Sequence, residues 1–169
     1  ERITGRSYEK LVDSLVFKPL GGRAQFGNPG TDTVPQPFGH TRGRGNQPRI
    51  VDPRDADYVV PPVIVAAGDA SMTLMDYAKF LQVHLRGLRG VDGLLKAATI
   101  RDLHAPIAPV DTGTKYGAGW GVGITRDGFE THGHSGSAGA YIAIAPIQPV
   151  RDFAVAILTN IGGDNDVFP

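Results

Sequence analysis

Residues 131–141 read T-H-G-H-S-G-S-A-G-A-Y and run directly into Ile142–Pro146, where large and small apolar side chains alternate. Two histidines, two serines and three glycines thus stand at the mouth of a segment with the period of a buried strand. His132 and His134 are two residues apart and share a face of any strand that runs through them. Just upstream, Arg126-Asp127-Gly128 is a tight-turn signal, so Phe129–His134 is predicted to pair back as the second arm of a hairpin. The first arm, Tyr116–Ile124, alternates Tyr116, Ala118, Trp120, Val122 and Ile124 with glycines. That period of two predicts one strand with a bare face, which another backbone or a ligand can approach. Downstream, Tyr141–Ala145 and Phe153–Thr159 predict two further strands joined by the link Pro146–Asp152. F-A-V-A-I-L is apolar on both faces and predicts cover on both sides.

The residues before this meander have a helical period. Tyr8, Leu11, Val12, Leu15 and Val16 fall on one helical face, with Ser7 as N-cap and Pro19, Gly21 and Gly22 as stops. A second helix is signalled by Thr73 as cap, Asp76 three residues on, and Leu74, Tyr77, Ala78, Leu81 and Leu85 on one face, stopping at Gly87 and Gly90. A third runs from Ala97 to His104 and ends before Pro106. Between the first two, 14 of the 47 residues from Gly21 to Ala67 are Gly or Pro, the composition of a long functional or mobile loop. The predicted class is therefore α+β, in one partial domain over 1–169: helix at 1–20, loop at 21–67, helical at 68–106, antiparallel sheet at 114–160.

At 169 residues and 41% hydrophobic, the chain can bury on the order of 70% of its unfolded surface, enough for a real core. Seventeen basic and seventeen acidic residues cancel, which argues against a nucleic-acid or anionic-membrane partner. Arg42, Arg44 and Arg49 lie among Gly, Asn and Pro without interleaved aromatics and read as a solvated loop. There is no cysteine, which excludes disulfide, thiolate and zinc-cysteine chemistry and leaves the redox compartment undetermined. No apolar run approaches the roughly 18 residues of a membrane span, and no signal peptide is visible. The chain starts at Glu1 and stops just after a strand-like segment, and is expected to be a piece of something longer.

In order along the chain, T-G-R-S-Y-E-K-L-V with F-K-P-L-G, A-A-G-D-A-S-M-T-L-M-D-Y-A-K-F-L, Y-G-A-G-W, G-H-S-G-S-A-G and A-V-A-I-L-T-N resemble the C-terminal half of the serine β-lactamase-related family. That family comprises class C β-lactamases, D-Ala-D-Ala carboxypeptidases and related esterases. The matching segments frame almost the whole chain, with only about Gly21–Val63 weakly constrained. The resemblance implies the C-terminal portion of a β-lactamase/transpeptidase-like fold, incomplete without its N-terminal half. It further implies a covalent serine hydrolase with three signature elements: S-x-x-K bearing the nucleophile, Y-x-N or S-x-N, and K-T-G or an H-T-G-like variant. His134-Ser135-Gly136 matches the third element, with His in place of Lys. By that resemblance the catalytic contributions here come from His134, Ser135 and the backbone N–H of Ser137, which would face the developing oxyanion. Gly136 and Gly139 would clear room for substrate along the strand, and His40, on the loop that borders the cleft in relatives, would contact it. No cofactor is implied. The substrate would be a small ester, amide or β-lactam, and the partner would be the N-terminal half of the same protein or a second chain. A periplasmic or secreted location is favoured by the resemblance alone.

S-Y-E-K at 7–10 matches S-x-x-K as a string. At about 100° per residue, however, Lys10 lies opposite the apolar stripe and faces solvent, whereas a catalytic lysine must be desolvated. It is a decoy, and the true S-x-x-K and second motif are expected before Glu1. The family's C-terminal covering helix is also missing, so self-association through bare sheet surface is expected. Two other readings stay open: a non-catalytic structural or interaction chain that retains part of the fold, and a metal-dependent hydrolase using His132 and His134. His132 lies outside the matched motif and is expected to be exposed on its strand. His84 and His104 are expected to be structural, and Trp120 and Tyr141 to pack.

Overall fold

The computed structural model describes residues 1–31, 35–111 and 113–162, and the chain divides into two compact units. The first comprises Glu1–Thr73, Gly136–Ala143 and Leu158–Pro169. It opens with α1 (Tyr8–Val12), whose N-cap Ser7 is extended and accepts the Lys10 N–H at 3.4 Å. The helix then widens into a π turn at Asp13–Phe17, where the Lys18 N–H donates to the Asp13 carbonyl at 2.9 Å. The wider turn rotates the apolar stripe, so Leu15, expected inside, is 62% exposed and Phe17 takes the buried position.

The stretch from Gly21 to Ala67 is not irregular throughout. β1 (Gln25–Phe26), β2 (His40–Arg42) and β3 (Pro48–Ile50) precede α2 (Val65–Gly68) and β4 (Ala70–Ser71). β1 pairs with β4, and β2 with β3 in a hairpin that places His40 opposite Ile50. The Tyr8 ring stands edge-on to Phe26 at 5.8 Å, and its hydroxyl donates to the Ala66 carbonyl. The Asp69 carboxylate accepts the Gly27 N–H at 2.9 Å. Residues 32–34 of this stretch lie outside the described residues.

The second unit comprises Leu74–Ser135 and Ile144–Ile157. Its helices are α3 (Leu74–Leu88) and α4 (Ala97–His104). Its strands are drawn from β5 (Ala108–Pro109), β6 (Lys115–Tyr116), β7 (Gly121–Ile124), β8 (Glu130–Ser137), β9 (Ile142–Gln148), β10 (Phe153–Ala154) and β11 (Ile157–Thr159). They form one sheet in the order β10-β9-β8-β7-β6-β5, with β11 also beside β9. Leu81 on α3 packs with Trp120, Ala145 and Ile147, flanked by Tyr77, Phe80, Leu85 and Leu88. Each of the larger aliphatic side chains contributes about 2 kcal/mol by leaving water. α3 and α4 approach closely because Gly87 has no side chain: a Cβ there would lie 2.5 Å from Ile100, which is fully buried.

Two strand expectations are corrected. Tyr116–Ile124 is a hairpin and not a single strand, since β6 and β7 pair with Tyr116 opposite Gly121. Gly119, at φ +88°, makes the reversal that other residues resist. The bare positions admit backbone: a Cβ on Gly117 would meet the Leu103 and Ala105 carbonyls within 3 Å, and the Ala118 N–H donates to the Leu103 carbonyl. Phe153–Thr159 is likewise interrupted at Val155 and Ala156, and Phe153 and Leu158 stay exposed instead of covered. The turn at Arg126–Gly128 forms as expected, with the Thr125 N–H donating to the Phe129 carbonyl and β7 pairing β8.

Candidate functional site

The matched H-S-G-S residues occupy the end of β8. Residues 134–137 are all exposed, whereas His132, two residues earlier, is buried. Strand alternation sends the side chains of His134 and Ser135 to opposite faces and puts Ser137 on the face of Ser135. His134 and Ser135 fall in the second unit, Gly136 and Ser137 in the first. A Cβ on Gly136 would meet no atom of the described chain within 4 Å, so that side of the strand is open.

In the second unit, His134 has a partner that the sequence reading missed. Its Nε2 lies 2.9 Å from the Tyr116 hydroxyl, with the rings edge-on at 6.0 Å between centroids. The ladder accounts for this: Tyr116 pairs with Gly121, and Gly121 with Gly133, the residue before His134. The two residues in its row therefore carry no side chains.

In the first unit, His40 and Gly139 belong to one neighbourhood. The His40 N–H donates to the Asn160 carbonyl at 2.8 Å, and its ring Nδ1 lies 3.2 Å from the same oxygen. The Asn160 side-chain amide donates to the Phe38 carbonyl. The last residue of A-V-A-I-L-T-N thus ties down the His40 segment. Gly139 sits at φ +70° in the turn between β8 and β9, where a Cβ would press on the Tyr58 ring at 3.0 Å. Gly39 faces Ala140 and Tyr141 so closely that a Cβ would lie 2.5 Å from the Ala140 methyl.

Ser7 caps α1, and Lys10 is exposed.

His132, expected to be exposed, is 4% exposed and joins His84 and His104, at 5% and 2%, in a buried imidazole chain. The His84 Nδ1 is 2.9 Å from the His104 Nε2, and the His104 Nδ1 is 3.2 Å from the His132 Nδ1. The chain ends with the His132 Nε2 at 3.0 Å from the Glu130 carboxylate, which faces water. A carboxylate only accepts, so with neutral rings each donor follows in turn. His132 carries its proton on Nε2, and His104 and His84 carry theirs on Nδ1. The Trp120 indole stacks on His104 at 4.4 Å, and Phe80 lies 4.6 Å from His84. Burial lowers His84 to about 4. Burial, then the neighbouring His84 and His132, lower His104 to about 3.

His104 uses different nitrogens for its two neighbours, and His132 spends one on His104 and the other on Glu130, so the three rings do not converge on a common point. Among the described residues, no group of three or more metal-ligating side chains is placed to hold an ion. The sequence signal for burial was present: His84 follows Leu81 by three on α3, and His104 follows Ile100 by four on α4, both on apolar stripes.

The Beta-lactamase family profile matches residues 1–169. No curated protein matches the chain significantly. Among solved structures, the chain is similar to the octameric penicillin-binding protein homologue from Pyrococcus abyssi, with 23% identity and a TM-score of 0.76 over 95% of this chain and 35% of that one. It is also similar to the D-stereospecific amidohydrolase from Streptomyces sp., with 23% identity and a TM-score of 0.71 over 98% of this chain and 48% of that one. The penicillin binding protein from Bacillus halodurans follows at 15% identity and 0.72, over 96% and 48%. The chain spans between about a third and half the length of these structures. A profile match over every residue, together with a shared α+β fold, is the sum of these similarities: the chain belongs to the beta-lactamase family.

Proposed function

We propose that this chain is part of a serine hydrolase that acts through an acyl-enzyme on ester or amide substrates, and that its share of the machinery is the H-S-G strand. The observation that carries the proposal is the end of β8, where four small or hydrogen-bonding residues are exposed in succession two places after the buried His132, with open space at Gly136. In this reading the attacking serine and its base lie on a segment outside these 169 residues, so the chain alone is inactive. The Ser137 N–H donates to the developing oxyanion, while His134 and Ser135 hydrogen-bond the substrate. Gly136 keeps the strand clear, Gly139 lets the following turn pack against Tyr58, and His40 supports the border of the cleft through Asn160.

In the H-S-G strand an imidazole stands where K-T-G has a lysine ammonium, a compact point charge with three donors. That favours esters and small amides over carboxylate-bearing β-lactams. One of the similar structures is an amidohydrolase, in keeping with the amide class. The partner is the remainder of the fold or a second copy of the chain; nucleic acid is not one.

The test is kcat/KM on p-nitrophenyl esters, anilides and nitrocefin, with the full-length protein that carries this chain and its His134→Ala variant. A loss of about 10²-fold on ester is expected, within what positioned acid-base groups contribute. Unchanged kinetics would remove His134 from the site, and a strong preference for nitrocefin would refute the charge argument.

A further inference from the structure

Tyr116 lies at the end of a two-residue strand, opposite Gly121 and just before the turn at Gly117–Trp120. Its hydroxyl is 2.9 Å from the His134 Nε2. The pair holds two mobile protons, one on the phenol and one on the neutral imidazole, and the bond between them uses one. A phenol is a far stronger acid than a neutral imidazole N–H, and an imidazole nitrogen is a far stronger base than a phenol oxygen. The stable arrangement is therefore O–H···N, with Tyr116 donating and Nε2 accepting. The remaining proton is then on the His134 Nδ1.

We infer that Tyr116 is the positioning residue of the H-S-G strand: its hydroxyl holds His134 as the Nδ1–H tautomer, so that the exposed imidazole offers the substrate a single uncharged donor. The inference rests on the proposed role of His134 in hydrolysis and deepens it by naming the group recognised. One neutral donor suits the carbonyl oxygen of an ester or amide. It does not supply the paired, charged donors that a carboxylate takes best. Without the phenol, the His134 ring has no other hydrogen-bond partner among the described residues, and the proton could move to Nε2, turning the donor away from the substrate.

The experiment compares the full-length protein with Tyr116→Phe and His134→Ala. Tyr116→Phe keeps the ring and deletes only the hydroxyl, so the fold is retained. Ring nitrogen chemical shifts of His134, read from long-range proton–nitrogen spectra at neutral to mildly alkaline pH, should show a bare Nε2 and a protonated Nδ1. In Tyr116→Phe the two should exchange character. With p-nitrophenyl butyrate, Tyr116→Phe should lower kcat about tenfold, the scale of one net hydrogen bond, and leave KM nearly unchanged.

A protonated Nε2 in the unaltered protein, or the same tautomer in both proteins, overturns the inference whatever the rates. So does an unchanged kcat in Tyr116→Phe when His134→Ala has lost activity. If His134→Ala itself keeps full activity, the hydrolytic reading of the strand falls, while the nitrogen spectra still decide the tautomer.

Discussion

Lowering the pH from 8 to 5 should destabilise the second unit through its buried imidazoles. An unfolded histidine takes up a proton near pH 6.5, while burial holds folded His84 at about 4 and folded His104 at about 3. The folded state therefore stays neutral where the unfolded state is charged. For a base lowered in this way, stability is complete above 6.5, falls as the pH drops through that value, and stops falling below the folded values. At pH 5 the difference is about 2 kcal/mol for each ring, or about 4 for the two, against a total of about 5–15 kcal/mol for a typical domain.

Exposed carboxylates do not confuse this window. Asp52, Asp92, Asp111 and Asp127 are lowered by their hydrogen bonds and ion pairs, so their contribution is lost only as the pH falls below the ordinary carboxylate range. The groups facing the rings are Glu130 at the wet end and His132 between it and His104; Trp120 and Phe80 supply apolar cover. The assay is urea denaturation of the full-length protein at both pH values, followed through Trp120, which stacks on His104. His104→Phe keeps an aromatic ring over the indole and removes one titrating group. It should be less stable than the parent at pH 8, yet lose only about half as much on going to pH 5. Equal stability of the parent at the two pH values, or an undiminished loss in the variant, would refute the neutral-chain account.

Gly87→Ala should destabilise, against the usual gain of about 1 kcal/mol for alanine over glycine within a helix. The new methyl would lie 2.5 Å from Ile100, which has no room to move, and the expected net cost is about 1–3 kcal/mol in a denaturation experiment; a stabilised variant would show that α3 and α4 separate easily. Gly39→Ala should disturb the first unit by a comparable amount, since its Cβ would overlap the Ala140 methyl and the Tyr141 ring. Limited proteolysis near residues 137–141 should then accelerate, and an unaltered digestion pattern would argue against that contact.

Much of the local structure was legible because it depends on near neighbours. Ser7 caps its helix, the 3.6-residue period of Leu74–Leu88 gives an amphipathic helix, and Asp127-Gly128 closes a hairpin, each through residues only a few positions apart. The ordered segments from T-G-R-S-Y-E-K to A-V-A-I-L-T-N likewise carried the family, and the period at Tyr8 put Lys10 on the side of α1 that faces water, where it lies. Period alone could not tell one strand from a hairpin at Tyr116–Ile124, because both alternate. The reversal was decided by a positive φ at Gly119 and by the α4 carbonyls that come up to Gly117. Nor could it tell that Leu15 would turn outward, which followed from one wide helical turn. Above all, His84, His104 and His132 are separated by 20 and 28 residues, and Tyr116 lies 18 residues before His134. A hydrogen bond needs its partners within about 3 Å, and for side chains so far apart in sequence only the packing of two helices on a sheet sets that distance.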